Sequence, residues 1–140
     1  PEKVGKLKRT LETIHGVEAT EERRTVDLAE LVPTQGKVYA DELEGRQYEL
    51  EHGLAEPLVV IDNGSTGDEG TLLLADGHHR VMAAERSGVE KMDAYVIVLE
   101  RAVDLGMART AEKEDLDSIA DIDVVDYARH PLVETIERLQ

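Results

Sequence analysis

Five consecutive residues, Asp76-Gly77-His78-His79-Arg80, bring together a carboxylate, a glycine, two imidazoles and a guanidinium. They follow Thr71-Leu72-Leu73-Leu74-Ala75, which reads as a strand, and open a run that reads as a helix from His78 to about Ser87. The first turn of a helix leaves N–H groups unpaired and carries the positive end of the helix dipole. Gly77 removes the side chain that would keep an anion from those groups. Around the same point stand two ring donors and a guanidinium, the latter suited to bidentate contact with phosphate oxygens. The chemistry this spacing can do is phosphate binding. Gly77, His78, His79 and Arg80 form the cradle, and Asp76 orients an acceptor hydroxyl or holds Mg²⁺. Two other readings use the same residues. Asp76 can be a plain helix cap, Gly77 a turn residue, and the three that follow solvated surface. A metal site is the weaker alternative. Neighbouring histidines point apart on a helix, His15, His52 and His130 lie in other segments, and no His-x-x-x-His spacing occurs.

The elements that must position this turn are legible to different degrees. Val4, Leu7, Leu11 and Ile14 recur three and four apart, which predicts a helix over Lys3 to Ile14 with Gly16 as its C-cap; Lys6, Lys8 and Arg9 make it basic. Thr25 to Leu28 reads as a short strand, and Leu31 to Gly36 as a loop marked by Pro33 and Gly36. Thr34, Gln35 and Tyr39, in or near that loop, are candidates to line a substrate pocket. A Glu- and Leu-rich helix is expected from about Asp41 to His52, stopped by Gly53. Pro57 to Ile61 is a continuous apolar run, as expected of a buried strand, hairpinned through a turn over Asp62 to Gly70 to the Leu-rich strand. After Gly88 the last strong strand spans Met92 to Leu99. Strand, helix and strand from Leu72 to Leu99 read as a right-handed crossover, with antiparallel placement the alternative. Beyond Glu100 helical pieces are expected around Val103–Met107 and Glu112–Ile119. A terminal helical segment follows from Val124 to Gln140, restarted at Pro131, where Leu132, Ile136 and Leu139 make an apolar stripe. This tail is a candidate packing or homo-oligomer surface.

Composition sets limits on function. The 140 residues fit one compact α+β domain over 17–100, with an N-terminal helix over 1–16 and a helical extension over 101–140. A core must come from Leu, Val, Ile and Ala, because there is no Phe, Trp or Cys and only four Tyr. Without cysteine there is no disulfide, thiolate metal site or thiol nucleophile. No apolar run approaches membrane-spanning length and no charged-then-apolar signal segment opens the sequence, so a cytoplasmic address is the simplest expectation. The net charge of −15, from 31 acidic and 16 basic residues, disfavours direct DNA binding. Two readings of that charge remain: solubility in a salt-rich cytoplasm, or an acidic shell around a local basic spot.

The order of pieces from Thr25 to Leu99 resembles the ParB/sulfiredoxin superfamily domain. The resemblance rests on Val32-Pro33-Thr34-Gln35, on Gly53 to Val60, and on Asp76-Gly77-His78-His79-Arg80-Val81-Met82-Ala83-Ala84 followed by Gly88. It implies a short mixed sheet with flanking helices, and a Gly-x-x-Arg turn that holds nucleotide phosphates (ATP, ADP or CTP). Partition proteins of this superfamily hydrolyse CTP and use a separate helical domain for DNA. Sulfiredoxins place a cysteine in the turn, which this chain lacks. Archaeal free serine kinases carry an Asp-Gly-His-His-Arg turn, so the resemblance is closest to that branch and implies a phosphotransferase. Those kinases also carry a catalytic Glu just after the opening Pro, where this sequence has Thr34-Gln35-Gly36. An amide cannot act as a general base. Glu30, Glu42 and Glu44 are the candidate replacements. The alternative is a non-enzymatic, nucleotide-switched module that acts through DNA or protein partners.

Overall fold

Alternation along one strand decides the layering. In a computed structural model, which describes residues 1–64 and 71–126, Leu58 and Val60 of strand β4 (Leu58–Asn63) face one side of a sheet. Val59 and Ile61 face the other, and all four are buried. A strand covered on both faces is apolar at successive positions, which is why the run from Leu58 reads as continuous. The sheet around it also contains β1 (Ala19–Asp27), β2 (Leu31–Pro33), β5 (Thr71–Asp76) and β6 (Lys91–Leu99), in the order β1-β6-β4-β5-β2. The β1/β6 and β4/β5 pairs are antiparallel, and the β4/β6 and β5/β2 pairs parallel.

Helix α1 (Glu2–His15) covers one face through Val4 and Leu11, with Met107 and Ala108 of α4 (Gly106–Lys113) packed on the same cluster. Its C-terminus ends at Gly16 in the left-handed region, φ 59°, with the Gly16 N–H donating to the Glu12 carbonyl. Helices α2 (Ala40–Glu51) and α3 (His78–Arg86) cover the opposite face through Leu43, Val81 and Ala84. Two short strands, β3 (Lys37–Tyr39) and β7 (Asp123–Val125), pair in parallel beside them. No helix among the described residues is long and apolar enough to cross a membrane.

Several expectations change. The first strand begins at Ala19, not Thr25. Its residues from Thr20 to Thr25 are exposed, so this charged edge strand carries no apolar alternation there; its register with β6 and its buried ends, Ala19 and Val26, hold it. Leu31 to Pro33 is a strand rather than loop, and Pro33 is tolerated because β2 is the other edge. Asp62 and Asn63 continue β4 where a turn was expected, and 65–70 lie outside the described residues. Strands β5 and β6 do not pair. Helix α3 carries the chain past β4, so the antiparallel alternative holds. One helix, α4, spans the gap between the two expected after Glu100, followed by a 3₁₀ turn at Ile119–Asp121. Val124 and Val125 lie in β7, not in a helix. The stripe of Leu132, Ile136 and Leu139, the restart at Pro131 and His130 fall outside the described residues.

Candidate functional site

Sheet polarity gathers the site. Parallel pairing sets Pro33 of β2 opposite Leu74 of β5, so both strands run out at the same end of the sheet. Antiparallel pairing, with a bulge between Val59 and Val60, brings the start of β4 to that end beside Asp76. Helix α3 begins there. Its N-cap is Gly77, at φ 111° and ψ 23°, with no side-chain cap. A Cβ on Gly77 would lie 2.6 Å from Leu58 Cδ2 and 3.1 Å from Nε and Nη2 of Arg80. Only glycine fits this conformation and this space. The guanidinium of Arg80 therefore folds back over the helix start.

Asp76 is not the cap. One oxygen, Oδ2, accepts from both Lys3 Nζ of α1 and Arg80 Nη2, the latter at 3.2 Å. Partial burial works to raise the Asp76 pKa, but the Lys3 bond and the Arg80 charge outweigh it and hold the carboxyl below its usual range. Arg80 Nη1 also meets Glu56 Oε2 at 3.5 Å, and the Glu56 side chain is 82% exposed. Lys3, Glu56, Asp76 and Arg80 line a cleft of about 370 Å³, with Val59 and Tyr95 among its walls.

The two histidines face away from this cleft. His78 is 5% exposed, and its Nε2 accepts from the backbone N–H of Thr34 at 2.9 Å. Burial pushes its pKa down to about 4, with Asp76 opposing and His79 adding to the shift, so the ring is neutral at pH 7. His78 thus stands apart from the expected ring donors: its Nε2 is an acceptor that pins the chain after β2. His79 Nε2 lies 3.1 Å from the Tyr39 N–H and 3.1 Å from Glu42 Oε2, and the Tyr39 ring stacks on it with centroids 6.3 Å apart.

Of the loop residues, Thr34 is bound into the turn, its Oγ1 donating to the Leu74 carbonyl at 2.8 Å. Gln35 is exposed and donates to the Lys37 carbonyl of its own loop. Of the three candidate acids, Glu42 reaches the turn; Glu30 and Glu44 are exposed and make no hydrogen bond or ion pair with it. Sequence reasoning missed Lys3 and Glu56. Lys3 belongs to the basic helix noted above, but no spacing ties it to Asp76. Glu56 stands just before the apolar run of β4. Among the described residues, no group of three or more His, Asp or Glu side chains is gathered as a metal site.

No protein-family model matches the chain. It is 44% identical over 126 residues, 90% of its length, to the uncharacterized protein MJ0188 of Methanocaldococcus jannaschii. The chain spans 46% of that protein, about half of its length. Among solved structures it superposes on protein Atu1540 of Agrobacterium tumefaciens with a TM-score of 0.54 at 18% identity, over 75% of this chain and 63% of that one. A Pnob8-like ParB-N domain aligns over 70% of this chain and 35% of that one, with 14% identity and a TM-score of 0.45. The chain has a ParB/sulfiredoxin-like fold, an α+β architecture on a mixed five-stranded sheet.

Proposed function

We propose that this chain binds a nucleotide by its phosphates at the start of α3 and transfers a phosphoryl group to a small hydroxyl-bearing molecule. One observation carries the reading: a guanidinium is folded back over a helix N-terminus that has no side-chain cap. A cation at the positive end of a helix dipole is electrostatically disfavoured, and an anion relieves it. Asp76 and Glu56 supply anionic partners on the guanidinium. Glu56 is the exchangeable partner, being exposed and loosely held, and a phosphate oxygen can take its place on Arg80. The N–H groups of His78, His79 and Arg80, which precede the first intrahelical bond from Val81 to Gly77, supply further donors. In this reading Asp76, tied to Lys3 and Arg80, orients an acceptor hydroxyl. Mg²⁺ would arrive with the nucleotide phosphates. The Asp-Gly-His-His-Arg turn, similar to that of the free serine kinases, supports the choice of transfer.

A binding module without turnover is the second reading. Gln35 in place of an acid, its side-chain amide turned into its own loop, favours it. Calorimetric titration with ATP, ADP, CTP and GTP, with and without Mg²⁺, tests the shared part. One nucleotide should bind, and Arg80→Ala should remove that binding. Phosphorus NMR of the bound nucleotide with small hydroxyl acceptors then separates the two. A new phosphate ester supports transfer; binding without any product supports the module. Binding unaffected by Arg80→Ala contradicts both.

A further inference from the structure

We infer that Glu42 controls the charge of His79, so that anion binding at the start of α3 tightens as the His79 ring takes up a proton. The inference rests on the phosphate-binding reading of this turn and concerns its regulation.

The geometry sets two incompatible bonds on one atom. His79 Nε2 is 3.1 Å from the Tyr39 N–H and 3.1 Å from a Glu42 carboxylate oxygen. A neutral ring with its lone pair on Nε2 accepts from Tyr39, and the Glu42 carboxylate then faces a lone pair. A protonated ring donates Nε2–H to Glu42, and the Tyr39 N–H loses its acceptor. In the first state an uncompensated negative charge stands beside the cradle and opposes an anion. In the second the imidazolium cancels it at the second residue of an uncapped helix, where the dipole itself disfavours a cation and a bound anion stabilises it. Protonation and anion binding therefore favour each other, and by linkage each strengthens the other equally.

The other charged and titratable groups around the ring do not supply this exchange. The phenol of Tyr39 from β3 stacks on it. Lys37, at the far end of β3, is exposed and makes no ion pair. Asp41, beside Glu42 in α2, is exposed and likewise without an ion pair. Asp76 of β5 is held by Lys3 and Arg80, and Arg80 turns to the opposite flank. His78 makes the same kind of bond, to the Thr34 N–H, but it is buried with no carboxylate on its Nε2. The side chains of His79 and Glu42 are 18% and 54% exposed, so both have room to exchange partners and protons with solvent. An imidazole is the side chain that ordinarily changes charge between about pH 5 and 8.

Sulfate is the probe for the test, because its charge is constant over that range. On the full chain its affinity should be on the order of tenfold tighter at about pH 5.5 than at about pH 8, the scale of one charge-assisted contact. Glu42→Gln should shrink that ratio, because the carboxylate that accepts the ring proton is gone. His79→Gln, which keeps the backbone N–H of the turn but cannot titrate, should remove the pH dependence of the sulfate affinity that remains. In the unaltered chain the Tyr39 amide proton should shift with the midpoint of the His79 ring. Equal sulfate affinity at both pH values, still lost in Arg80→Ala, overturns the inference and leaves the phosphate reading standing. No sulfate or nucleotide binding at either pH overturns both. A Tyr39 amide that stays still while the His79 ring titrates overturns the exchange, whatever the variants do.

Discussion

The first turn of α3 has two flanks of opposite character. Toward α1 and the start of β4, Arg80 shares four charges with Lys3, Asp76 and Glu56 in an open cleft. Toward the β2–α2 connection, His78 and His79 are bonded to backbone N–H groups of Thr34 and Tyr39. A backbone donor buried without an acceptor costs about 1–3 kcal/mol, so the His78 bond is not one that a ligand can displace cheaply. An ion pair at 3.5 Å to an exposed Glu56 can be exchanged at little cost. The difference teaches that the turn's residues divide the tasks: the charged flank is open and its ion pairs exchangeable, and buried His78 fixes where the turn stands.

That division can be broken most severely at the residue between the flanks. Gly77→Ala forces a Cβ into buried Leu58 and a side chain into the left-handed region, and urea denaturation should report a loss of about 4 kcal/mol. Next comes acid. The folded-state pKa of His78 lies near 4, below the ordinary 6.5, so the unfolded chain takes up this proton first. The contribution of His78 is fully present above about pH 6.5 and is lost as pH falls toward 4. The total is on the order of 3 kcal/mol. Denaturation midpoints should follow that window, and His78→Gln, which keeps an acceptor but cannot titrate, should flatten it. On the other flank, Arg80→Ala should lower nucleotide affinity by on the order of 100-fold or more, to where calorimetry no longer detects it, while leaving the histidine bonds intact. The smallest effect belongs to Lys3→Ala. Carbon-detected NMR titration should place the Asp76 pKa higher than in the unaltered chain, because burial already raises it and one of the two cations opposing burial is gone.

Local signals made much of this legible. The run from Leu58, the Leu-rich β5, the glycine and the helix after it each carry their own pattern, and together they placed the strand-turn-helix at Asp76 to Arg80 within a residue or two. The direction of the two imidazoles was not legible. Their partners, Thr34 and Tyr39, lie 44 and 40 residues away, and only the parallel β2/β5 pairing brings that loop to the turn. Lys3 lies 73 residues from Asp76 and meets it because α1 packs across the sheet face. Strand β1 escaped for another reason. Glu21, Glu22, Arg23 and Arg24 are exposed, and no period of two survives when neither face of an edge strand is deeply covered.

Amide chemical-shift mapping of the full chain with ADP is the most direct test of the phosphate site. The amides of His78, His79 and Arg80 should move most, together with the Arg80 side-chain Nε–H, and Arg80→Ala should suppress those shifts. Shifts confined to other surfaces, such as the cleft lined by Leu28, Val89 and Ile119, or none at any nucleotide concentration, would contradict the assignment of α3's first turn as an anion site.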